Sequence, residues 1–457
     1  MGVDHGGKRA WVPYAGFTVF GLFWGVWGAS VPAIRHQAGL TAGQLGTALL
    51  FIAAGALPAM LVAGRAVDRW GQRVMTITLV LLGIAGVAVA ITARDLPTLS
   101  VGLTVLGASS GAADVAINAA AGAAERATGR PVIIRAHGFF SLAVVVASLA
   151  TGLLNAGGIP AVVPFVLVAL AAAVSAAIAT GDQVGPDSRR SVQVGPDSRR
   201  SVQVGPDSRR SVQVGPDSRR SDRAGPDSRR RDHAGAPEAR SGSALRAHLS
   251  LLIVAGGLGA LAFAVENAHQ SWSAVYLADA LHAEGAVVGA GPAVFAGFVA
   301  LTRFAIGTRN THRAWIVLAA GAMIAAAGTL LLALAASVAL ALLGLALAAA
   351  GTAVLFPTVL GLATAGVTAA ARGTATSVVS TVAYLGYLAG PVYVGYWAQK
   401  AGLPGAMMAV AALAAGLALL AWPALRAVAP SPERLSTAEV AYRGTVSSEG
   451  GGGQGVG

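Results

Sequence analysis

Twelve long apolar segments, separated by short polar stretches, dominate the hydropathy pattern of the chain. A transmembrane helix needs roughly 20 mostly apolar residues to cross the ~30 Å hydrocarbon core of a bilayer. The segments that meet this requirement are 13–33, 42–64, 74–93, 98–122, 136–155, 159–179, 249–278, 286–306, 314–335, 337–361, 373–398 and 404–425. The pattern therefore predicts an all-α integral membrane protein with twelve transmembrane helices.

The spans fall into two sets of six, and a stretch of different composition separates them. We predict a six-helix bundle over 1–179, a linker over 180–248, a second six-helix bundle over 249–425 and a tail over 426–457. The linker repeats the decapeptide QVGPDSRRSV from Gln183 onward, and the tail ends in glycine-rich sequence. Because neither segment has enough large apolar side chains to bury a core, both are expected to be disordered.

The composition agrees with a membrane protein and excludes several kinds of site. Charged residues make up 11% of the chain and the mean hydropathy is +0.66, whereas a soluble domain carries about 25% charged residues. The chain has no cysteine, which excludes disulfides, iron–sulfur clusters and thiolate zinc sites. We expect no cofactor, no metal and no enzymatic activity.

The distribution of lysine and arginine predicts the orientation in the membrane. With a cytoplasmic N-terminus, 14 of these residues outside the linker lie on the cytoplasmic side, against Arg35, Arg94 and Lys400 on the other. Cytoplasmic loops normally carry such an excess. We therefore predict a multi-pass protein of the inner (cytoplasmic) membrane with both termini cytoplasmic. The same distribution accounts for the net charge of +12 without a nucleic-acid partner.

Ionisable side chains within the spans are the first candidates for function, because an unpaired charge in hydrocarbon costs at least ~2.5 kcal/mol. Asp114 lies in the fourth span, and Asn118 follows at i+4 on the same helix face. His137 opens the fifth span from the same side of the membrane, within possible reach of Asp114. We interpret these three residues as a proton-coupling or substrate site. The alternative is a structural acid that neighbouring polar groups satisfy.

A second polar cluster lies in the seventh span and comprises Glu266, Asn267, His269 and Gln270. Counted from residue 249, the cluster falls in the outer half of the membrane, away from Asp114. It is interpreted as a separate outer site or gate, and the alternative is a helix end that emerges into water. Arg303, near the inner end of the eighth span, is expected to extend to the membrane interface.

Aromatic residues form a stripe along the first span. Phe20, Phe23, Trp24 and Trp27 recur at i, i+3, i+4 and i+7, which places them on one helix face. Two interpretations remain open: ordinary packing, or a cavity wall in which Trp24 and Trp27 stack on a ligand. Proline is expected to interrupt the tenth span at Phe356-Pro357 and the eleventh at Gly390-Pro391.

A short basic loop, GRAVDRWGQR over 64–73, joins the second span to the third. Its glycines are expected to let the flanking helices approach closely. The spacing of Gly64, Asp68, Arg69, Gly71 and Arg73 resembles the loop between the second and third helices of the major facilitator superfamily. The resemblance implies a gate loop that helps to close the cytoplasmic side, with Asp68 facing the N-terminal end of the eleventh helix.

The seventh span resembles a bacterial branch of this superfamily that is related to fucose permease. The shared features are Glu266 followed by WSAVYL from Trp272, the spacing of Asp114 and Asn118, and His137. The resemblance implies the major facilitator fold, in which helices one, four, seven and ten line a central cavity. In this chain those are the spans that hold Trp24, Asp114, Glu266 and Pro357.

Together these features predict a monomeric secondary transporter in a lipid bilayer. It moves a small-molecule organic substrate by alternating access, coupled to a proton. Efflux of a drug or metabolite by the same fold is the alternative to uptake. A non-transporting membrane sensor that signals through the linker is an alternative of another class.

Overall fold

The apolar segments fold into helices, because only intrahelical hydrogen bonds satisfy backbone N–H and C=O groups where water is absent. The computed structural model describes residues 11–181, 238–306, 314–365, 367 and 372–428. The decapeptide repeats of the linker and residues 429–457 of the tail, for which disorder is predicted, lie outside these residues. Within the described ranges the regular structure is entirely helical.

The described part of the chain forms twelve α-helices in sequence. They are α1 (Val12–Gln37), α2 (Ala42–Trp70), α3 (Arg73–Thr92), α4 (Leu96–Thr128), α5 (Val132–Ala156), α6 (Val162–Gly181), α7 (Glu238–Val275), α8 (Ala286–Ile306), α9 (Ala314–Ala333), α10 (Val338–Thr352), α11 (Leu355–Thr364) and α12 (Arg372–Val428). A π-helical turn, Tyr276–Ala280, continues α7.

The helices correspond to the twelve predicted spans with two rearrangements. The tenth span is broken just before Phe356-Pro357, so α10 and α11 together make one crossing. The eleventh and twelfth spans run together as α12, which changes direction at Gly402. The φ of 71° at Gly402 is in the left-handed region, where a residue without a Cβ is favoured. At Gly390-Pro391, by contrast, α12 continues without the predicted interruption.

The seventh helix departs from its prediction at its start. It begins at Glu238 rather than at residue 249, so residues 238–248, which are predicted as disordered linker, are helical. Its polar end passes into the π-helical turn, where the wider winding changes the direction of the chain before α8.

Helix packing in the first half recurs in the second. α1 packs on α5, α2 on α4 and α3 on α6; correspondingly, α7 packs on the first part of α12, α8 on α10 and α9 on the last part of α12. We call the end at which α2 finishes the Asp68 end, and the end at which α7 finishes the Asp279 end. The two halves meet mainly along α5 with α8 and along α2 with α12.

Glycines bring the two halves together at the Asp279 end. A Cβ added to Gly289 of α8 would lie 2.2 Å from the carbonyl oxygen of Ser148 in α5. On the opposite flank, a Cβ on Gly46 of α2 would lie 2.5 Å from the carbonyl oxygen of Pro391 in α12. Small residues thus allow backbone-to-backbone contact on both flanks.

Candidate functional site

The predicted gate loop lies at the Asp68 end and, among the described residues, makes only local contacts. Gly71 ends α2 with a φ of 57°, which favours glycine. Gly64 does not support the predicted close helix approach, since a Cβ there would meet no atom within 4 Å. The Arg69 guanidinium lies 5.6 Å from the ring centroid of Trp70, and Arg73 begins α3. Asp68 is exposed, and within the described residues no hydrogen bond or ion pair joins it to α12.

The opposite end is joined by an ion-pair cluster between the halves. Arg35 of α1 donates through Nη1 to Asp279, which belongs to the turn after α7. His36 Nε2 lies 3.2 Å from the other oxygen of the same carboxylate. Both the Arg35 and the Asp279 side chains are only 18% exposed. The cluster therefore holds α1 against the end of α7.

Asp114 and Asn118 lie together on α4, as their spacing predicts. Asn118 Nδ2 donates to Asp114 Oδ1 at 3.1 Å and to the Asp114 carbonyl oxygen at 2.9 Å. Both residues are half-buried. The predicted contact with His137 is not made: the His137 ring packs edge-on against Phe17 at 4.7 Å and interacts electrostatically with Arg303.

Glu266 is paired with Arg303, which is predicted from the sequence to extend to the membrane interface. Arg303 Nη2 lies 3.4 Å from Glu266 Oε1, and Arg303 Nε donates to the Ala353 carbonyl oxygen at 3.3 Å. Gln270 Nε2 donates to the same Glu266 oxygen at 3.1 Å. The prediction that Arg303 extends to the membrane interface is therefore wrong. A buried carboxylate needs a counterion, and Arg303 reaches across from α8 to supply it.

The two polar clusters belong to one layer rather than to separate sites. At ~1.5 Å per residue, Asp114, Glu266 and Arg303 lie about 27, 21 and 26 Å from the Asp279 end of their helices. Tyr384 of α12 lies within electrostatic range of both Asp114 and Glu266. Tyr387 lies within range of the same two acids and of Arg303. The prediction that Glu266 lies well away from Asp114 is corrected accordingly.

Aromatic rings of the second half complete this layer. Phe263 packs against Phe356, Tyr384 and Tyr387 with centroid distances of 4.3, 5.6 and 4.7 Å. Phe356 and the two tyrosines are half-buried, so part of each ring is accessible. None of these rings is among the sequence candidates. The available signal is the i, i+3 spacing of the two tyrosines in the eleventh span, opposite a proline-broken tenth span.

Two of the sequence candidates, His269 and Trp27, are enclosed by packing. His269 is fully buried, with Nδ1 2.7 Å from the Val265 carbonyl oxygen and Nε2 2.9 Å from the Thr329 hydroxyl. It therefore ties α7 to α9. Trp27 is 4% exposed and belongs to the core of the first half. Asn267 accepts a hydrogen bond from Ser271 within α7. Trp24 alone of the two predicted cavity tryptophans is half-buried.

Removing one partner of the Glu266–Arg303 pair is expected to lower the free energy of unfolding more than removing both. Arg303→Gln leaves a carboxylate that is 7% exposed without its cation. Breaking a buried pair costs about 3–5 kcal/mol, but Arg303 is 48% exposed, so solvent screening reduces this to roughly 1–3 kcal/mol. Thermal unfolding of the detergent-solubilised variants measures the loss. If Glu266→Gln/Arg303→Gln is no more stable than Arg303→Gln alone, the two residues are not coupled.

An apolar groove of about 430 Å³ lies away from this layer, between α9 and the last part of α12. Its lining includes Trp315, Ile316, Met323 and Ala418, and no charged side chain of the described residues lines it. Because recognition of a polar solute needs polar groups that converge, the layer around Asp114 and Glu266 is the candidate site.

Comparison of the sequence with known proteins identifies the family. The model of the Major Facilitator Superfamily matches residues 14–328. An uncharacterised MFS-type transporter of Yersinia pestis is 32% identical over 154 residues, which are 32% of this chain and 36% of the relative. Membrane protein MosC of Rhizobium meliloti is 29% identical over 153 residues, which are 33% of this chain and 38% of the relative. The chain thus spans about a third of the length of these relatives.

Solved structures show the same fold at low sequence identity. A bacterial homologue of the human lysosomal transporter Spinster, inward-facing and unoccupied, has a TM-score of 0.64 at 15% identity, over 94% of this chain and all of that one. The D-xylose–proton symporter has a TM-score of 0.62 at 14% identity, over 90% of this chain and 96% of the other. With the family match and eleven helices in the described chain that are long and apolar enough to cross a membrane, the conclusion is that the chain belongs to the major facilitator superfamily of multi-pass membrane transporters.

Proposed function

We propose that this protein is a proton-coupled secondary transporter that carries a small organic solute across the inner membrane by alternating access. One observation carries the proposal. Asp114 of the first half and the Glu266–Arg303 pair of the second share a layer through Tyr384 and Tyr387. Ionisable groups at such depth normally mark a substrate or ion path. Relative movement of the halves changes the surroundings of these groups, which is what coupling requires.

The contacts between the halves support a state that is open at the Asp68 end. Arg35 and Asp279 close the other end, together with the glycine contacts of Gly46 and Gly289. The excess of lysine and arginine at the Asp68 end favours a cytoplasmic position for it, and with it cytoplasmic termini. In this orientation we infer an inward-open state, and we expect the exposed Asp68 to gain its partner only in the outward-open state.

Within the superfamily, we infer that the chain belongs to the branch related to fucose permease. The inference rests on the features that it shares with that branch at Asp114, Asn118 and Glu266. We infer a single chain as the working unit, because each half contributes one side of the same layer. Both statements are part of the proposal.

Reconstitution into proteoliposomes tests the coupling. A thermal-shift screen of the purified protein against sugars, metabolites and antibiotics first supplies a ligand, because a ligand of the folded state raises its apparent stability. We then expect an imposed pH gradient to drive net movement of that ligand, and a ligand gradient to drive proton movement. Protein-free vesicles are the control. A ligand flux that ignores the pH gradient removes the proton from the mechanism.

A further inference from the structure

Glu266 and Asp279 each pair with a cationic side chain, whereas Asp114 does not among the described residues. Glu266 has Arg303 as its counterion, and Asp279 has Arg35. Asp114 accepts a hydrogen bond from the neutral amide of Asn118. No cationic side chain of the described residues pairs with Asp114. With both acids of the layer ionised and Arg303 charged, the layer carries a net negative charge that resides on Asp114.

Aromatic rings of the second half lie near Asp114. Tyr384 and Tyr387 are both within electrostatic range of Asp114, and Arg303, which is paired with Glu266, is within range of Tyr387. Their ring centroids lie 5.7 Å apart, and both rings pack on Phe263. Ring faces attract cations, and aromatic surfaces next to a negative charge are how proteins recognise ammonium groups. Rings and acid come from opposite halves of the molecule, so a ligand between them contacts both.

From this arrangement we propose that the transported solute is a small organic cation, an amine or quaternary ammonium with apolar substituents, bound at Asp114 against Tyr384 and Tyr387. The inference rests on the proposed function and narrows its substrate. Asp114 supplies the countercharge, and the rings contact both the charge and the apolar substituents.

The same arrangement predicts that the cation and the proton cross the membrane in opposite directions rather than together. The Asp114 carboxyl holds either a proton or the cation, and no covalent bond of the organic molecule changes. Arrival of the cation releases one proton from the carboxyl to the open side, and return of a proton releases the cation. An inward proton gradient therefore drives the cation out of the cell.

Other ligand classes fit the charges less well. An anion would need a free cation, but Arg303 is already held by Glu266 and the Ala353 carbonyl oxygen. A neutral polyol, which the likeness to a sugar permease branch suggests, requires hydrogen-bonding groups but no uncompensated charge. Both classes are distinguishable from a cation in a binding experiment.

Isothermal titration of the full-length protein in detergent tests the proposal with defined probes. Choline, tetraethylammonium and benzyltrimethylammonium are compared with 3,3-dimethylbutanol, the uncharged carbon isostere of choline. We expect at least one of the ammonium ions to bind, and choline to bind at least about tenfold more tightly than its isostere. At a pH low enough to protonate the free Asp114 carboxyl, titrations in two buffers of different ionisation enthalpy should count one released proton per bound cation. Asp114→Asn should abolish binding.

The control variant is Asp95→Asn, in which an exposed helix-capping acid at the far end of α4 is neutralised and asparagine still caps the helix. It should bind like the natural protein. Equal affinity for choline and its isostere, binding without proton release, or failure of all three ammonium ions to bind overturns the proposal. If cations bind with proton release but no coupled flux appears in proteoliposomes, the transport function fails and the cation site stands. If a neutral solute shows coupled flux and no cation binds, the transport function stands and the cation site fails.

Discussion

In the Asp114→Asn variant, accumulation of the transported solute in response to an imposed pH gradient is expected to disappear. Asparagine has the size of aspartate and can still contact Asn118, but it cannot take up or release a proton. One pH unit corresponds to 1.36 kcal/mol, so one coupled proton supports up to about tenfold accumulation. In reconstituted vesicles that ratio should fall from near tenfold to one.

The controls for this variant separate coupling from folding. Removing an acid that lacks a counterion should leave thermal stability unchanged or higher, because no desolvated charge has to be accommodated. Asp95→Asn should accumulate the solute normally. Full accumulation in a folded Asp114→Asn protein, together with its loss in Glu266→Gln, would show that Glu266 and not Asp114 carries the coupled proton.

The number and course of the spans are predictable from the sequence, because the bilayer imposes one length and one kind of hydrogen bonding on every crossing. The break before Phe356-Pro357 is predictable from its proline. The helicity of residues 238–248 is not predictable, since their composition is that of a linker and hydropathy alone does not mark a helix that continues beyond the apolar core.

The individual acids are predictable, but their arrangement is not. Asp114 and Glu266 stand out because charge is rare in apolar sequence. Their common layer depends on the depth and rotation of separate helices, which no local pattern records. Arg303 illustrates the point: near a helix end it resembles an interfacial arginine, yet its partner lies 37 positions away in the chain.

Local pattern also does not distinguish a working histidine from a packing one. His269 shares a helix face with Glu266, but Thr329 of α9 and the stacked ring of Phe295 at 5.2 Å enclose it. The gate loop shows a different limit. Its motif is recognisable from the sequence, whereas the contact implied for Asp68 is not made among the described residues.

Adding a side chain at Gly46 should favour a state that is open at the Asp279 end. A Cβ there would lie 2.5 Å from the Pro391 carbonyl oxygen and 2.9 Å from the Gly395 Cα. Both are backbone atoms of α12 and cannot rotate away, so Gly46→Leu should separate α2 from α12 at the Asp279 end. Reversing a two-state population from 1:99 to 99:1 takes about 5.5 kcal/mol. We therefore expect the state open at the Asp279 end to become the main one.

The absence of natural cysteines makes this shift measurable with spin labels on an otherwise unreactive chain. Labels at Arg94→Cys and Ala336→Cys, exposed positions in the two halves at the Asp279 end, report their separation by double electron–electron resonance. Gly46→Leu should move most of the distance distribution to longer values. Gly64→Leu is the matched control, since it makes the same change on the same helix where no atom lies within 4 Å; it should leave the distribution unchanged. An unaltered distribution in a folded Gly46→Leu protein would mean that α2 and α12 slide locally, and that their contact does not determine which end is open.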